Sequence, residues 1–116
     1  MAEINTILIE DSENNMRILE NQTKGLPVEV SINDKARNVQ EAISKIDEHK
    51  PDLIFLDIKL PDGSGFDVIQ NVSYKNFEII FVTAFDEYAL KAFEFSAIHY
   101  LTKPIEINDL KEAIER

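Results

Sequence analysis

The sequence predicts an α/β three-layer sandwich: a five-stranded parallel sheet in the order 2-1-3-4-5, with five helices on its two faces. Three observations predict it. Strand-like and helix-like segments alternate five times along 116 residues, the pattern of a parallel sheet crossed over by helices. The first, third and fourth strand segments, INTILIE, DLIFLD and EIIFVTA, are near-continuously apolar, as strands covered on both faces must be. The second, VEVSI, alternates apolar and polar residues, and the fifth, IHYL, is short, so both belong at edges. Right-handed crossovers leave few strand orders, and 2-1-3-4-5 puts the two weak strands outermost.

Each element has its own signal. Residues 4–10 form the first strand and run into Asp11-Ser12, either of which can cap the helix carrying Met16, Leu19 and Thr23 at helical spacing. Gly25 and Pro27 end that helix. The second strand covers residues 28–32. Val39, Ala42, Ile43 and Ile46 make an i, i+3, i+4, i+7 stripe, stopped by His49-Lys50-Pro51. The third strand, residues 52–57, gives way to a turn-rich loop reaching Gly65 and a helix with Phe66, Ile69 and Val72 inward. The fourth strand spans 78–84, followed by a helix over 87–95. The fifth strand, 98–101, leads to Lys103-Pro104 and a last helix carrying Ile107, Leu110 and Ile114. No repeat, low-complexity stretch or linker interrupts the alternation, so residues 1–116 read as a single domain.

Composition narrows the function. Hydrophobic content of 44% with 29% charged residues fits a folded globular chain. With no cysteine, disulfides, thiolate metal sites and thiol nucleophiles are excluded, and a reducing, cytoplasmic setting fits. No apolar run reaches the roughly 18 residues of a membrane span, and the N-terminus lacks the pattern of a signal peptide. The net charge of −10 argues against direct contact with nucleic acid, which needs Lys and Arg against phosphates.

The unusual stretch is LIFLDIKLPDG, where an apolar strand stops on a carboxylate, Asp57. Ligands of such sheets bind beyond the carboxyl ends of the strands, where strands one and three diverge. That rim receives Glu10 and Asp11 from strand one, Asp57 from strand three, Thr83 from strand four and Lys103 from strand five. Singly, each has an ordinary explanation: Asp11 as a helix cap, Asp57 as the start of a turn, Thr83 as a β-branched strand residue, Lys103 as a solvated lysine. Together they limit the chemistry. Carboxylates about 4 Å apart repel by roughly 4 kcal/mol per pair at an effective dielectric near 20, so three of them need a cation, a raised pKa, or both. Lys103 supplies one charge. A hard divalent ion such as Mg²⁺ is the natural complement. A carboxylate beside Mg²⁺, a lysine and a hydroxyl also makes a phosphoryl-transfer site.

These residues resemble the receiver domain of two-component response regulators, which has a flavodoxin-like fold. The acidic pair Glu10-Asp11, the run FLDIKLPDGSGF with Asp57, Pro61 and Gly65, the run IIFVTA with Thr83, and YLTKP with Tyr100, Lys103 and Pro104 fall in family order over nearly the whole chain. The resemblance implies that Asp57 accepts a phosphoryl group from a phosphohistidine donor, a sensor histidine kinase or phosphotransfer protein. Asp11, Asp57 and the backbone carbonyl of Lys59 would bind Mg²⁺, with Glu10 acting largely through water. Thr83, the Ala84 N–H and the Lys103 ammonium would hold phosphoryl oxygens. Thr83 and Tyr100 would switch together, remodelling the face made by helix four, strand five and helix five. A cis bond before Pro104 is expected from the resemblance alone, since the general baseline for X-Pro is about 5–6%. Lys59 and Phe85 would flank the water that attacks the phosphoaspartate and so tune dephosphorylation.

A narrower resemblance lies in FVTAFDEYALKAFEFSAIHYLTKPI, which is similar to receivers joined to LytTR-type DNA-binding domains. It implies either a receiver excised from a longer transcription regulator, with DNA reached through the attached domain, or a stand-alone receiver, with a phosphorylation-dependent homodimer as a further partner. No enzyme activity is expected beyond self-phosphotransfer and autodephosphorylation. Two residues depart from the pattern. Glu10 is longer than the frequent aspartate, and His99 stands where an acidic residue is common. Other readings are a phosphorylation-independent binding module and an aspartyl-phosphate phosphatase; haloacid-dehalogenase-like phosphatases use Asp-x-Asp, where this chain has Lys59. A flavodoxin-like cofactor binder would need a glycine-rich cradle in place of the acidic EDSENN.

Overall fold

Apolar residues on successive strands sort to opposite sides of one sheet. In the computed structural model, which describes residues 4–26, 30–95, 97 and 99–115, the strands are β1 (Ile4–Ile9), β2 (Val30–Ala36), β3 (Leu53–Leu56), β6 (Glu78–Thr83) and β7 (His99–Thr102). They pair in parallel in the order β2-β1-β3-β6-β7. A two-residue antiparallel hairpin, β4 (Lys59–Leu60) with β5 (Gly63–Ser64), follows β3. The helices are α1 (Glu13–Lys24), α2 (Val39–His49), α3 (Gly65–Asn71), α4 (Ala89–Glu94) and α5 (Ile107–Glu115).

Because side chains alternate along a strand, Ile7, Ile9, Ile54, Leu56 and Phe81 pack with Ala42 and Ile46 of α2, Phe66 and Val68 of α3, and Ala92 of α4. The intervening Leu8, Phe55, Ile80, Val82 and Leu101 pack with Met16 and Leu19 of α1 and with Leu110 and Ala113 of α5. The second face of the sheet thus carries α1 and α5, and the first carries the other three helices. The expected order and both layers hold.

Local signals set the helix ends. Ser12, not Asp11, caps α1, its hydroxyl accepting from the Asn15 N–H at 3.2 Å. Asn38 caps α2 through the Glu41 N–H at 2.8 Å. Lys50, at φ 48°, ends α2 in the left-handed region, one residue before Pro51, which cannot continue a helix. Ser64 and Asp67 form a capping box on α3.

Several boundaries differ from expectation. Strand two runs through Asn33, Asp34 and Lys35 to Ala36, because as an edge strand it can point polar residues outward. A bulge lies in its pairing with β1, between Thr6 and Ile7, where the Asn33 side chain accepts from the Thr6 N–H at 3.3 Å. The expected positions 28, 29 and 98 in strands, and Pro27, lie outside the described residues. The segment expected as one helix over 87–95 opens with a 3-10 turn, Asp86–Tyr88, before α4 begins. In α3, Val68 is wholly buried and Ile69 only half so. Ile107 is 43% exposed, because it opens α5 at the sheet's end, and Ala113 takes the inward position.

The loop after Asp57 depends on a close approach. The Gly65 N–H donates to the Ile58 carbonyl at 2.8 Å, and a Cβ on Gly65 would meet the Asp57 carbonyl oxygen at 2.5 Å. That neighbour is backbone and cannot swing away. Gly65→Ala is therefore expected to destabilise the fold by about 1–3 kcal/mol, the usual range for overpacking, measured by denaturant titration.

Candidate functional site

Parallel strands end together, and here three of them are extended past their last paired residue by one more backbone hydrogen bond. The Glu10 N–H donates to the Ala36 carbonyl at 2.9 Å, the Asp57 N–H to the Ile9 carbonyl at 3.0 Å, and the Lys103 N–H to the Thr83 carbonyl at 2.8 Å. These bonds fix the first residue beyond β1, β3 and β7 at one rim of the sheet. Glu10, Asp57 and Thr83 are buried there, at 4%, 6% and 0% exposure, while Asp11 points into solvent.

The side chains then meet. The Lys103 ammonium donates to Asp57 Oδ2 at 2.9 Å and to Glu10 Oε1. The other Asp57 oxygen accepts from the Ile58 N–H at 2.7 Å, and Glu10 Oε2 accepts from the Ser12 N–H at 3.0 Å. Lys103 is thus no solvated surface lysine, and Asp57 caps no helix. Carboxylate oxygens of Glu10, Asp11 and Asp57 lie within 4.8 Å of one another. In an octahedral Mg²⁺ shell with bonds of about 2.0–2.1 Å, ligand oxygens stand about 3–4 Å apart. The all-oxygen donor set fits such an ion with a small contraction.

Around this centre the structure adds an aromatic wall. The Phe85 N–H donates to Thr83 Oγ1 at 3.4 Å, and the Tyr100 hydroxyl donates to the Phe85 carbonyl, so Thr83 and Tyr100 are joined through Phe85. The Lys59 ammonium stands 5.0 Å from the Phe85 ring centroid and 5.9 Å from that of Tyr88. Phe85 and Tyr88 themselves meet edge to face. Ala84 is exposed beside them. The Lys103–Pro104 peptide is cis, and it borders a groove of about 390 Å³ whose lining includes Glu10, Ile18, Leu19, Val82, Ala84 and Ile105. His99 is half-buried on β7, away from the rim, in a separate groove with Glu106, Asp109 and Glu112.

A response regulator receiver domain model matches residues 6–115. The chain belongs to that family. Among its relatives, the receiver is 35% identical over 116 residues to the sensory transduction protein LytR of Staphylococcus haemolyticus, covering 96% of this chain and 44% of that protein. It is 39% identical over 90 residues to LytT of Bacillus subtilis, covering 76% and 37%. It is 42% identical over 83 residues to the positive alginate biosynthesis regulatory protein of Pseudomonas aeruginosa, covering 70% and 34%. The receiver thus spans between 34% and 44% of the length of these curated relatives. Among solved structures it superimposes on the response regulatory domain of protein mrkE from Klebsiella pneumoniae with a TM-score of 0.87 at 26% identity, covering 97% of this chain and 93% of that one. A LuxR-family DNA-binding response regulator from Staphylococcus aureus gives a TM-score of 0.81 at 28% identity, covering 97% and 96%. The resemblance read from the motifs is therefore correct, including its LytR-type and LytT-type relatives.

The sequence-predicted residues Glu10, Asp57, Thr83, Tyr100 and Lys103 are linked by the contacts above, and Asp11 joins through its carboxylate. Lys59 contributes its ammonium to the aromatic wall, and its backbone lies in the hairpin that follows Asp57. Two residues around the receiver's site were missed. Asp62 read only as a turn residue, and Tyr88 read only as part of an aromatic-rich helix. The Pro-Asp-Gly-x-Gly spacing carried the first in principle.

Charge at the site follows burial. Desolvation raises the Glu10 pKa from 4.5 to about 7, and its bonds from Lys103 and the Ser12 N–H offset only part of that rise. For Lys103, burial works against the charge, but the bonds to Glu10 and Asp57 outweigh it and hold the pKa above the usual lysine range. The folded pKa of Glu10 lies above its unfolded value. Its contribution to stability is therefore complete below pH 4.5 and is lost as pH rises through about 7. In metal-free protein this loss is on the order of 1–2 kcal/mol after solvent screening. A divalent ion held by this cluster would compete with the Glu10 proton. Thermal stabilisation by Mg²⁺ is thus expected to grow between about pH 5.5 and about pH 8, and Glu10→Gln should flatten that growth, as read by melting curves with and without the ion.

Proposed function

We propose that this receiver is a phosphoacceptor whose nucleophile is Asp57. The observation that carries the reading is the half-buried Lys103 ammonium shared between the buried Asp57 and Glu10 carboxylates at the carboxyl ends of the strands. An Asp57 oxygen attacks the phosphorus of a phosphohistidine. The O–P bond forms as the P–N bond breaks, and the imidazole leaves with the electron pair and takes up a proton. Lys103 turns from the carboxylates toward the incoming phosphoryl oxygens, and Thr83 with the Ala84 N–H supplies neutral donors to the others. Glu10, Asp11, Asp57 and the Lys59 carbonyl would hold Mg²⁺, which neutralises charge on the transferring group. The groove bordered by Ile18, Pro104 and Ile105 leaves an apolar approach beside Asp57 for the donor protein, a sensor histidine kinase or phosphotransfer protein.

Phosphorylation would draw Thr83 toward the phosphoryl group. Because the Phe85 backbone binds both Thr83 and the Tyr100 hydroxyl, that movement pulls on Tyr100 and the face of α4, β7 and α5. The greater length of the LytR and LytT relatives supports an attached output domain, read here as a LytTR-type DNA-binding domain, with a phosphorylation-dependent homodimer as a further proposed partner. Among the described residues no helix is long and apolar enough to cross a membrane, and a cytoplasmic setting suits the kinase partner. The site is read as a signalling acceptor with slow self-hydrolysis, not as a phosphatase, since Lys59 occupies the place of a second catalytic aspartate.

Incubation with acetyl phosphate and Mg²⁺ should add one hydroxylamine-labile phosphoryl group, seen by intact mass, and Asp57→Asn should abolish it. Continued turnover of acetyl phosphate into inorganic phosphate would instead support a phosphatase, and no adduct would support a phosphorylation-independent module. The Lys59–Phe85–Tyr88 wall stands over the approach of a hydrolytic water. Phe85→Ala is expected to speed loss of the phosphoryl group several-fold, as timed by the decay of the phosphorylated species; an unchanged or slower decay refutes the role.

A further inference from the structure

The residue three places past the expected metal-binding carbonyl does something other than turn the chain. Asp62 lies at the tip of the β4–β5 hairpin and is exposed, yet its carboxylate reaches across to another element. Oδ1 accepts from the Val39 N–H at 2.6 Å and Oδ2 from the Gln40 N–H at 3.1 Å. Those are two of the four N–H groups that the start of any helix leaves without a partner. Asn38 satisfies the third through Glu41, and the Ala42 N–H binds the Asn38 carbonyl at 3.0 Å. The first turn of α2 is therefore complete only with the hairpin in place. Gly63 also approaches Val39 closely: a Cβ there would come within 3.2 Å of Val39 Cγ2. The hairpin tip is thus seated on α2 by polar and steric contacts together.

The hairpin is held at its other end as well. Lys59 pairs with Ser64, the Ser64 N–H donates to Asp67 at 3.0 Å, and Gly65 is fastened to Ile58 beside the Asp57 carbonyl. Between these anchors lies the backbone of Lys59, which has no side-chain tether of its own to the acidic cluster. Its carbonyl is placed by the hairpin together with the anchored Ile58 that precedes it.

We propose that Asp62 is a positioning residue of the phosphoacceptor site: by bonding across to the first turn of α2 it sets the hairpin, and with it the Lys59 carbonyl, at the metal position. The inference rests on the phosphoacceptor reading. Asp62 touches neither metal nor phosphoryl group, so its loss alters how well the ion is bound and leaves the chemistry of Asp57 intact once the ion is saturating.

The test is a calorimetric Mg²⁺ titration of the whole chain at fixed pH, with wild type, Asp62→Ala, Asp62→Asn and Asn38→Ala. Asp62→Ala should weaken Mg²⁺ binding about tenfold, the lower end for partners that orient a metal ligand, while phosphorylation at saturating Mg²⁺ reaches the wild-type extent. Asp62→Asn, with one acceptor oxygen, should fall between. Asn38→Ala removes a cap from the same helix without touching the hairpin, so it should lower the melting temperature and keep wild-type affinity. Wild-type affinity in Asp62→Ala overturns the positioning role, and so does an equal loss in Asn38→Ala, which would mean that affinity only follows the stability of α2. If wild type itself binds no Mg²⁺, the phosphoacceptor reading fails and takes this inference with it. Hydrogen exchange on metal-free protein gives an independent readout: the amides of residues 59, 60 and 62–64 should exchange faster in Asp62→Ala than in Asn38→Ala, and equal rates would overturn the proposal.

Discussion

Two buried carboxylates can lie side by side here because one ammonium sits between them. Lys103 joins Glu10 to Asp57, and all three positions follow from the strands they terminate. Each backbone is fastened by a hydrogen bond to the neighbouring strand, so the side chains meet without any loop having to find its own conformation. Removing the lysine would leave two uncompensated charges in a poorly hydrated rim, which costs far more than an exposed ion pair contributes. The site is therefore built into the sheet, and its geometry is as rigid as the ladder beneath it. The elevated pKa of Glu10 records chiefly the cost of burying its charge, with the Asp57 carboxylate adding to the rise and the Lys103 ammonium offsetting only part of it.

The surroundings divide into a clamped side and a connected side. On the clamped side, α2 is fastened twice to the chain that follows Asp57. Asp62 bonds to its first turn, and Asp47 near its last turn accepts from the Ser73 and Tyr74 N–H groups, both at 2.9 Å. These cross-links hold the hairpin and α3 against the sheet. On the other side, the segment after β6 is linked from Thr83 through Phe85 to Tyr100, from Lys59 to Phe85 and Tyr88, and by ring packing of Tyr88 on Phe66 and Tyr100 on Phe81. That segment begins with a 3-10 turn, and α4 exposes Leu90 at 84% and Phe93 at 54%. A change at Asp57 has more freedom to travel toward α4 and β7 than toward α2.

The division between what was legible and what was not follows the range of the interactions. Periodicity identified the strands because burial of alternating Ile, Leu and Phe residues is a local pattern, and it placed Asp57, Thr83 and Lys103 at strand ends for the same reason. It failed where a local pattern is overridden. Ile107 matches the helical stripe of α5 yet lies exposed, because that first turn projects past the sheet. Asn33, Asp34 and Lys35 look like a loop but extend β2, because an edge strand tolerates polar side chains on its open side. Tyr88 belongs to an aromatic-rich segment whose exact path depends on packing against Phe66 and Phe85.

The sequence by itself determined the architecture, the rim on which the reactive groups stand and the family to which the chain belongs, since these depend on residue types at fixed spacings along single elements. Only the tertiary structure decided that Lys103 is shared by Glu10 and Asp57 and that Asp62 completes a helix 23 residues before it. Those choices are settled by distances between elements far apart in the chain, and no spacing along one strand or helix encodes them.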